Sequence, residues 1–113
     1  MKGIPIPNAP AYEECVDRTR AMLDRRHVQA LRASMRDAMA GSQWREAATF
    51  GVRWLEHDPL SDEAVRLVAE SELMSGDADG ALIRLDAHIQ RARAEDGRPP
   101  SAALVALRQR LET

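Results

Sequence analysis

Three histidines, one cysteine, the adjacent carboxylates Glu13-Glu14 and Asp62-Glu63, and a set of arginines are residues of this chain that could do chemistry. His27, His57 and His88 are imidazoles of the kind that bind zinc, but they stand 30 and 31 residues apart. No further His or carboxylate sits at close ligand spacing beside two of them. The spacing predicts recurrence at comparable positions on successive helices, not a metal centre. Cys15 needs a thiolate-stabilising neighbourhood to act as a nucleophile. It falls near a helix start but on an apolar stripe with Tyr12 and Val16, where a buried small hydrophobe is the plainer reading. Glu13-Glu14 and Asp62-Glu63 fall in first helical turns, where carboxylates favour the helix dipole. Gly76-Asp77-Ala78-Asp79-Gly80 resembles a calcium loop only superficially, because the bidentate Glu and the remaining ligand positions are missing. It predicts a turn and a helix cap. No catalytic residue, cofactor site or metal site is expected.

The elements that position these residues are all helical. The chain is organised around Gly41 to Gly80, which reads as helix, turn, helix, turn. Gly41 and Gly76 lie 35 residues apart, and Ala47 and Ala81 lie 34 apart. A period of about 34 residues is that of tetratricopeptide-type helical hairpins, which stack because one hairpin cannot bury its own apolar face. Pro5, Pro7 and Pro10 predict an extended segment over residues 1–10, with Asn8 or Ala9 capping the first helix. From Ala11 to Ala40 there is neither Pro nor Gly. Tyr12, Cys15, Val16, Thr19, Leu23, Ala30, Leu31, Ser34 and Ala38 recur at three- and four-residue steps. This predicts one long helix, or two nearly continuous ones with a break near Arg25-Arg26-His27.

Gly41 ends that helix and Ser42 is expected to cap the next, on which Trp44, Ala47, Ala48, Gly51 and Leu55 form the stripe. Gly51 costs about 1 kcal/mol of helix propensity against Ala, which a close helix–helix approach would offset. Asp58-Pro59 stops the helix. Ser61 caps a third, lined by Ala64, Leu67, Val68, Ser71 and Met74. Ala78, Ala81, Leu82, Leu85, Ile89 and Ala92 mark a fourth, and a fifth follows Pro99-Pro100, with Leu104, Leu107 and Leu111 on one side. The expected fold is all-α, a tetratricopeptide-like stack of antiparallel hairpins with about five helices and no strands.

Composition narrows the function classes. Hydrophobic residues make up 44% of the 113-residue chain and charged residues 30%, which is globular and enough for one domain. The net charge of −2 is a poor start for a nucleic-acid binder. Between Ala11 and Ala40 six arginines face five acids, so no basic stripe is expected and direct nucleic-acid binding is disfavoured. A single cysteine allows no internal disulfide and fits a reducing cytoplasm. No apolar run approaches membrane-span length, and the proline-interrupted start lacks the core of a signal peptide.

Trp44-Arg45-Glu46-Ala47, Leu55-Glu56-His57-Asp58-Pro59-Leu60-Ser61-Asp62-Glu63-Ala64, Gly76-Asp77 with Ala81-Leu82, and Pro100-Ser101 resemble the bacterial transcriptional activator domain. This is the tetratricopeptide-like module of Streptomyces antibiotic regulatory protein-type regulators. The start, Gly3-Ile4 through Pro7-Asn8-Ala9-Pro10-Ala11-Tyr12-Glu13-Glu14, is also similar, so the resemblance spans residues 1–113 as one domain. It implies a non-enzymatic protein–protein interaction or dimerisation module of a transcriptional regulator. In the family this module usually follows a winged-helix DNA-binding domain. None precedes it in this sequence, which is expected to be one domain of a longer regulator or a free-standing member.

In tetratricopeptide geometry the first helix of each hairpin lines the concave surface. That places Gln29, Arg32 and Arg36 from the first hairpin, and Arg66 and Glu70 from the second, in one groove. Arg32 and Arg36 share a helix face, and three arginines could grip an acidic peptide through forked hydrogen bonds. The blander reading is a solvated charged face. Trp54 lies about 80° around its helix from Trp44 and is a further candidate contact for a partner or second subunit, with a core position as the alternative. Trp44 is expected to pack on the preceding helix. The expected partners are proteins, including a second copy of the chain. An adaptor gripping an acidic peptide is the second reading, and a sensor with a small ligand between helices is the third.

Overall fold

The computed structural model describes the backbone of residues 9–112 and the side chains of residues 17–112. Five helices follow one another: α1 (Ala9–Ala40), α2 (Trp44–His57), α3 (Asp62–Met74), α4 (Ala78–Asp96) and α5 (Ala102–Glu112), with no strand among the described residues. Each helix packs on the next, and α3 also touches α5. The chain is therefore an all-α stack of helical hairpins, as its periodicity predicts. α1 is a single helix of 32 residues, unbroken at Arg25-Arg26-His27. Ala9 and Pro10 already belong to it, so only residues 1–8 of the expected extended segment are left, and they lie outside the described residues.

The turns are set by local chemistry. Ser61 Oγ accepts from Ala64 N at 3.1 Å, and Asp77 Oδ1 accepts from Gly80 N at 2.9 Å. Both bonds satisfy a backbone donor that a helix start leaves free. Ser42 does not cap α2 as expected. It adopts φ 59°, while the Gln43 and Ser42 amides donate back to Ala38 O (2.8 Å) and Met39 O (3.0 Å). This is the Schellman closure of α1, and it leaves Gln43 as an N-cap with no side-chain bond. Gly76, at φ 97°, makes the same closure on α3, with Gly76 and Asp77 donating to Leu73 O and Glu72 O. The equivalent positions are thus Ser42 and Gly76, 34 apart, and not Gly41 and Gly76.

Two apolar clusters fill the stack. The first holds Leu31, Met35, Ala47, Trp54 and Val68; the second holds Ala69, Ala81, Leu85, Leu104 and Leu107, and Leu55 packs against both. Gly51 provides the close approach its position predicts. A Cβ there would meet a Val68 methyl and come within 2.8 Å of Met35 Cε. Leu31 and Ala38 are buried as the stripe predicts, but Leu23 and Ala30 are exposed, while Met35, outside that stripe, is fully buried. Leu23 lies beyond α2, which covers only the C-terminal half of α1; around the helix Ala30 is turned about 80–100° from Ala38 and Leu31, whereas Met35 is only about 40° from Leu31. Met74, assigned to a buried face, is exposed at the end of α3.

Candidate partner-binding face

α1 and α3 meet along one side of the stack through charge. Arg32 donates from Nε to Glu63 Oε2 at 2.9 Å, with its Nη2 also 2.9 Å away, and Arg36 Nη2 reaches the same oxygen at 2.6 Å. Glu63 sits in the first turn of α3 because Ser61 starts that helix two residues earlier. Burial pushes its carboxyl pKa upward, but the hydrogen bonds and charges of Arg36 and Arg32 outweigh this and hold it below the ordinary value. Gln29, Arg32, Ala33 and Arg36 line a shallow hollow of about 370 Å³. A second hollow of about 400 Å³ is lined by Asp24, Arg25, Val28, Gln29, His57 and Asp58. Gln29 joins the two.

The groove expected from the sequence is therefore only partly assembled. Gln29, Arg32 and Arg36 come together. Arg66 and Glu70 bond each other at 3.1 Å along α3 and do not join the cluster around Glu63. Each of the three arginines expected to grip a peptide already holds a carboxylate. Trp54 is not a surface contact: it is 3% exposed in the first apolar cluster, because its position on α2 faces α1 and α3. Its indole N–H has no acceptor among the described residues. Trp44, expected against the preceding helix, is half-buried and lines a hollow at the α1–α2 turn together with Ser75.

The histidines do not occupy comparable positions. His27 and His57 meet edge to face with ring centroids 4.7 Å apart, and Asp24 lies 3.7 Å from His57 Nδ1. His88 is buried, with Nε2 2.6 Å from Asp62 Oδ1, while Arg98 reaches the same oxygen at 3.5 Å and donates to Leu60 O at 2.6 Å. That network ties the start of α3 to α4 and to the segment before α5. Among the described residues no three His, Cys, Asp or Glu side chains could hold a metal ion. Cys15, Glu13 and Glu14 have side chains outside the described ones. An open hollow of about 500 Å³ is bounded by Leu55, Pro59 and the outer side of α4. Its charged lining residues are already paired: Arg84 with Glu72, His88 with Asp62, Arg91 with Glu95.

Counting charge along α1 missed its distribution around the helix. At 100° per residue, Arg18, Met22, Arg25, Gln29, Arg32 and Arg36 fall within about 40° of one line. All six are exposed. Asp17, Asp24 and Asp37 point about 100° or more away from that line. A basic stripe exists, contrary to the expectation from the charge sum, and the spacing of four, three, four, three and four residues was the signal for it.

The described residues form an all-α stack of helical hairpins. The chain matches the bacterial transcriptional activator domain over residues 2–112 and belongs to that family. A search of curated proteins and a search of solved structures gave no significant match. The family is one of regulatory domains of transcriptional activators and not a known enzyme family. No helix among the described residues is long and apolar enough to cross a membrane.

Proposed function

We propose that this transcriptional-activator domain is a non-enzymatic protein–protein interaction module of a bacterial regulator, acting in the cytoplasm by self-association or by contacts with other parts of the regulator. The observation that carries this reading is the overhang of α1. Its 32 residues make about 48 Å of helix, against about 21 Å for the 14 residues of α2. His27 meets His57, the last residue of α2, so the helix before it runs on past its neighbour. Every described residue from 17 to 27 is exposed, with Met22 at 46% and Leu23 at 57%. Burying such side chains against a second surface is worth about 1.5–3 kcal/mol each. Direct DNA reading is not assigned to this domain, because the net charge is −2 and Glu63 lies against the arginines of α1.

Light scattering across a wide concentration range tests this. A dimer is expected, and Leu23→Glu, about 140° around α1 from Arg18 and so off the arginine line, should convert it to monomer without loss of helix content. A wild-type domain that stays monomeric throughout would remove self-association and leave contacts with other parts of the regulator. The adaptor reading is favoured by a separate observation, the arginine stripe.

A further inference from the structure

We propose that the arginine stripe of α1 is a docking face for an acidic helix of a partner protein, with Glu63 as the internal stand-in for the partner's carboxylate. This rests on the reading of the domain as an interaction module and adds the chemistry of what it binds. From Arg18 to Arg36 the stripe runs about 27 Å along an uninterrupted helix, and all six of its residues are exposed. Between residues 17 and 37 it carries no carboxylate of its own; the next one on its line is Glu14, one turn before Arg18. Arg25 has no ion-pair partner among the described residues. Arg32 and Arg36 share one carboxylate, so that pair keeps a net positive charge.

Glu63 shows which ligand the stripe accepts. Two guanidinium groups one turn apart converge on a single carboxylate oxygen, at 2.9 and 2.6 Å. Forked arginine–carboxylate contacts of this kind give geometric specificity as well as charge attraction. Arg18, Arg25 and Arg32 repeat every seven residues, about 10.5 Å along the axis. A helix laid beside α1 with carboxylates every seventh position meets them in register, as charged flanks do in paired helices. Met22, 46% exposed between Arg18 and Arg25, then faces an apolar residue of the partner. The hollows on either side of Gln29 give the partner's side chains room.

A continuous phosphate backbone fits less well. Asp24 and Asp58 line the hollow beside Arg25, and Glu63 lies against Arg32 and Arg36. A duplex would run its charges past Glu63, whereas discrete carboxylates on a helix can be placed to either side of it. The stripe selects spacing as well as sign.

The test uses the whole domain and a labelled helical peptide of about 20 residues, with glutamates on one face and a leucine placed opposite Met22. Binding is expected to weaken as salt rises. Arg25→Glu with Arg32→Glu should weaken it at least about tenfold, while Arg91→Glu, off the stripe, should leave it unchanged. Glu63→Gln should tighten it by removing the internal competitor. Circular dichroism verifies that each variant keeps its helices, and Arg25, exposed and with no ion pair among the described residues, gives a single substitution that leaves the packing alone. No binding, or equal losses in the stripe and Arg91 variants, would overturn the docking face. So would equal capture of a lysine-faced peptide, or equally tight binding of duplex DNA, which would assign the stripe to phosphates. A domain that dimerises normally yet ignores the peptide sinks this inference and leaves self-association standing.

Discussion

The two hairpins share one backbone plan and fill it with different chemistry. Shifting the first hairpin by 34 residues lays Ser42 on Gly76, Gln43 on Asp77, Ala47 on Ala81, Gly51 on Leu85 and Trp54 on His88. Ala47 and Ala81 are both fully buried. The next pair is exchanged in size: in the first hairpin a large Met35 packs where Gly51 leaves room, and in the second Ala69, equivalent to Met35, shares a cluster with Leu85. Met35, Ala69 and Leu85 are all 0% exposed. The large side chain changes sides: it stands on the first helix of one hairpin and on the second helix of the other. Charge follows a different course. Gln29 in the first hairpin corresponds to Glu63 in the second, and only the second supplies the carboxylate that the arginines of α1 hold.

Copying one hairpin onto the other should fail most where volumes were exchanged. Gly51→Leu, which imitates Leu85, is expected to destabilise the domain by about 3 kcal/mol or more, through overlap with Val68 and Met35. Met35→Ala alone should cost about 2–5 kcal/mol. The double variant should lose at least about 1 kcal/mol less than the two single losses added together. Urea denaturation of all four proteins measures this, and strict additivity would break the idea of an exchanged pair.

The charge difference predicts a smaller effect that depends on pH. Folding lowers the pKa of Glu63 below 4.5, so its contribution is complete above that value and is lost as pH falls through the folded value. Glu63→Gln should cost roughly 0.5–1 kcal/mol near neutral pH, as partly exposed ion pairs do. Its stability should converge with that of the wild type in acid. A difference that stayed constant down the pH range would mean that Glu63 acts by packing.

The smallest effect belongs to the turns. Ser42 holds the left-handed conformation that glycine holds at position 76. Ser42→Gly should therefore raise stability by about 0.5 kcal/mol, because glycine has no Cβ to strain. Thermal unfolding reads it as a small rise in Tm; a fall would mean that Ser42 is held there by something other than the backbone.

Most of the fold was legible because its signals act over a few residues. Ser61 and Asp77 cap the helices they were expected to cap, Asp58-Pro59 stops α2, and Ala47 and Ala81 mark the repeat. The interface residues were less legible. Trp54 could be core or contact by its spacing alone, and only the approach of α2 to α1 and α3 decided for the core. The histidines looked like one repeating position, yet His27 and His57 touch across two helices while His88 is bonded to Asp62. The arginine stripe was present in the spacing from Arg18 to Arg36, but a sum of charges along the helix hides what a projection around it reveals.

By itself, the sequence determined the order of the helices and the turns between them, because helical periodicity, caps and prolines act on their own neighbourhood in the chain; it left α1 open as one helix or two and misplaced the cap of α2. Only the tertiary structure decided which side chains met. The Arg32–Glu63 contact spans 31 positions and depends on how α3 stacks beside α1. The exposure of Met22 and Leu23 depends on α2 ending where it does. Both follow from the register of one helix against another, which packed volumes such as Met35 against Gly51 set and no local signal encodes.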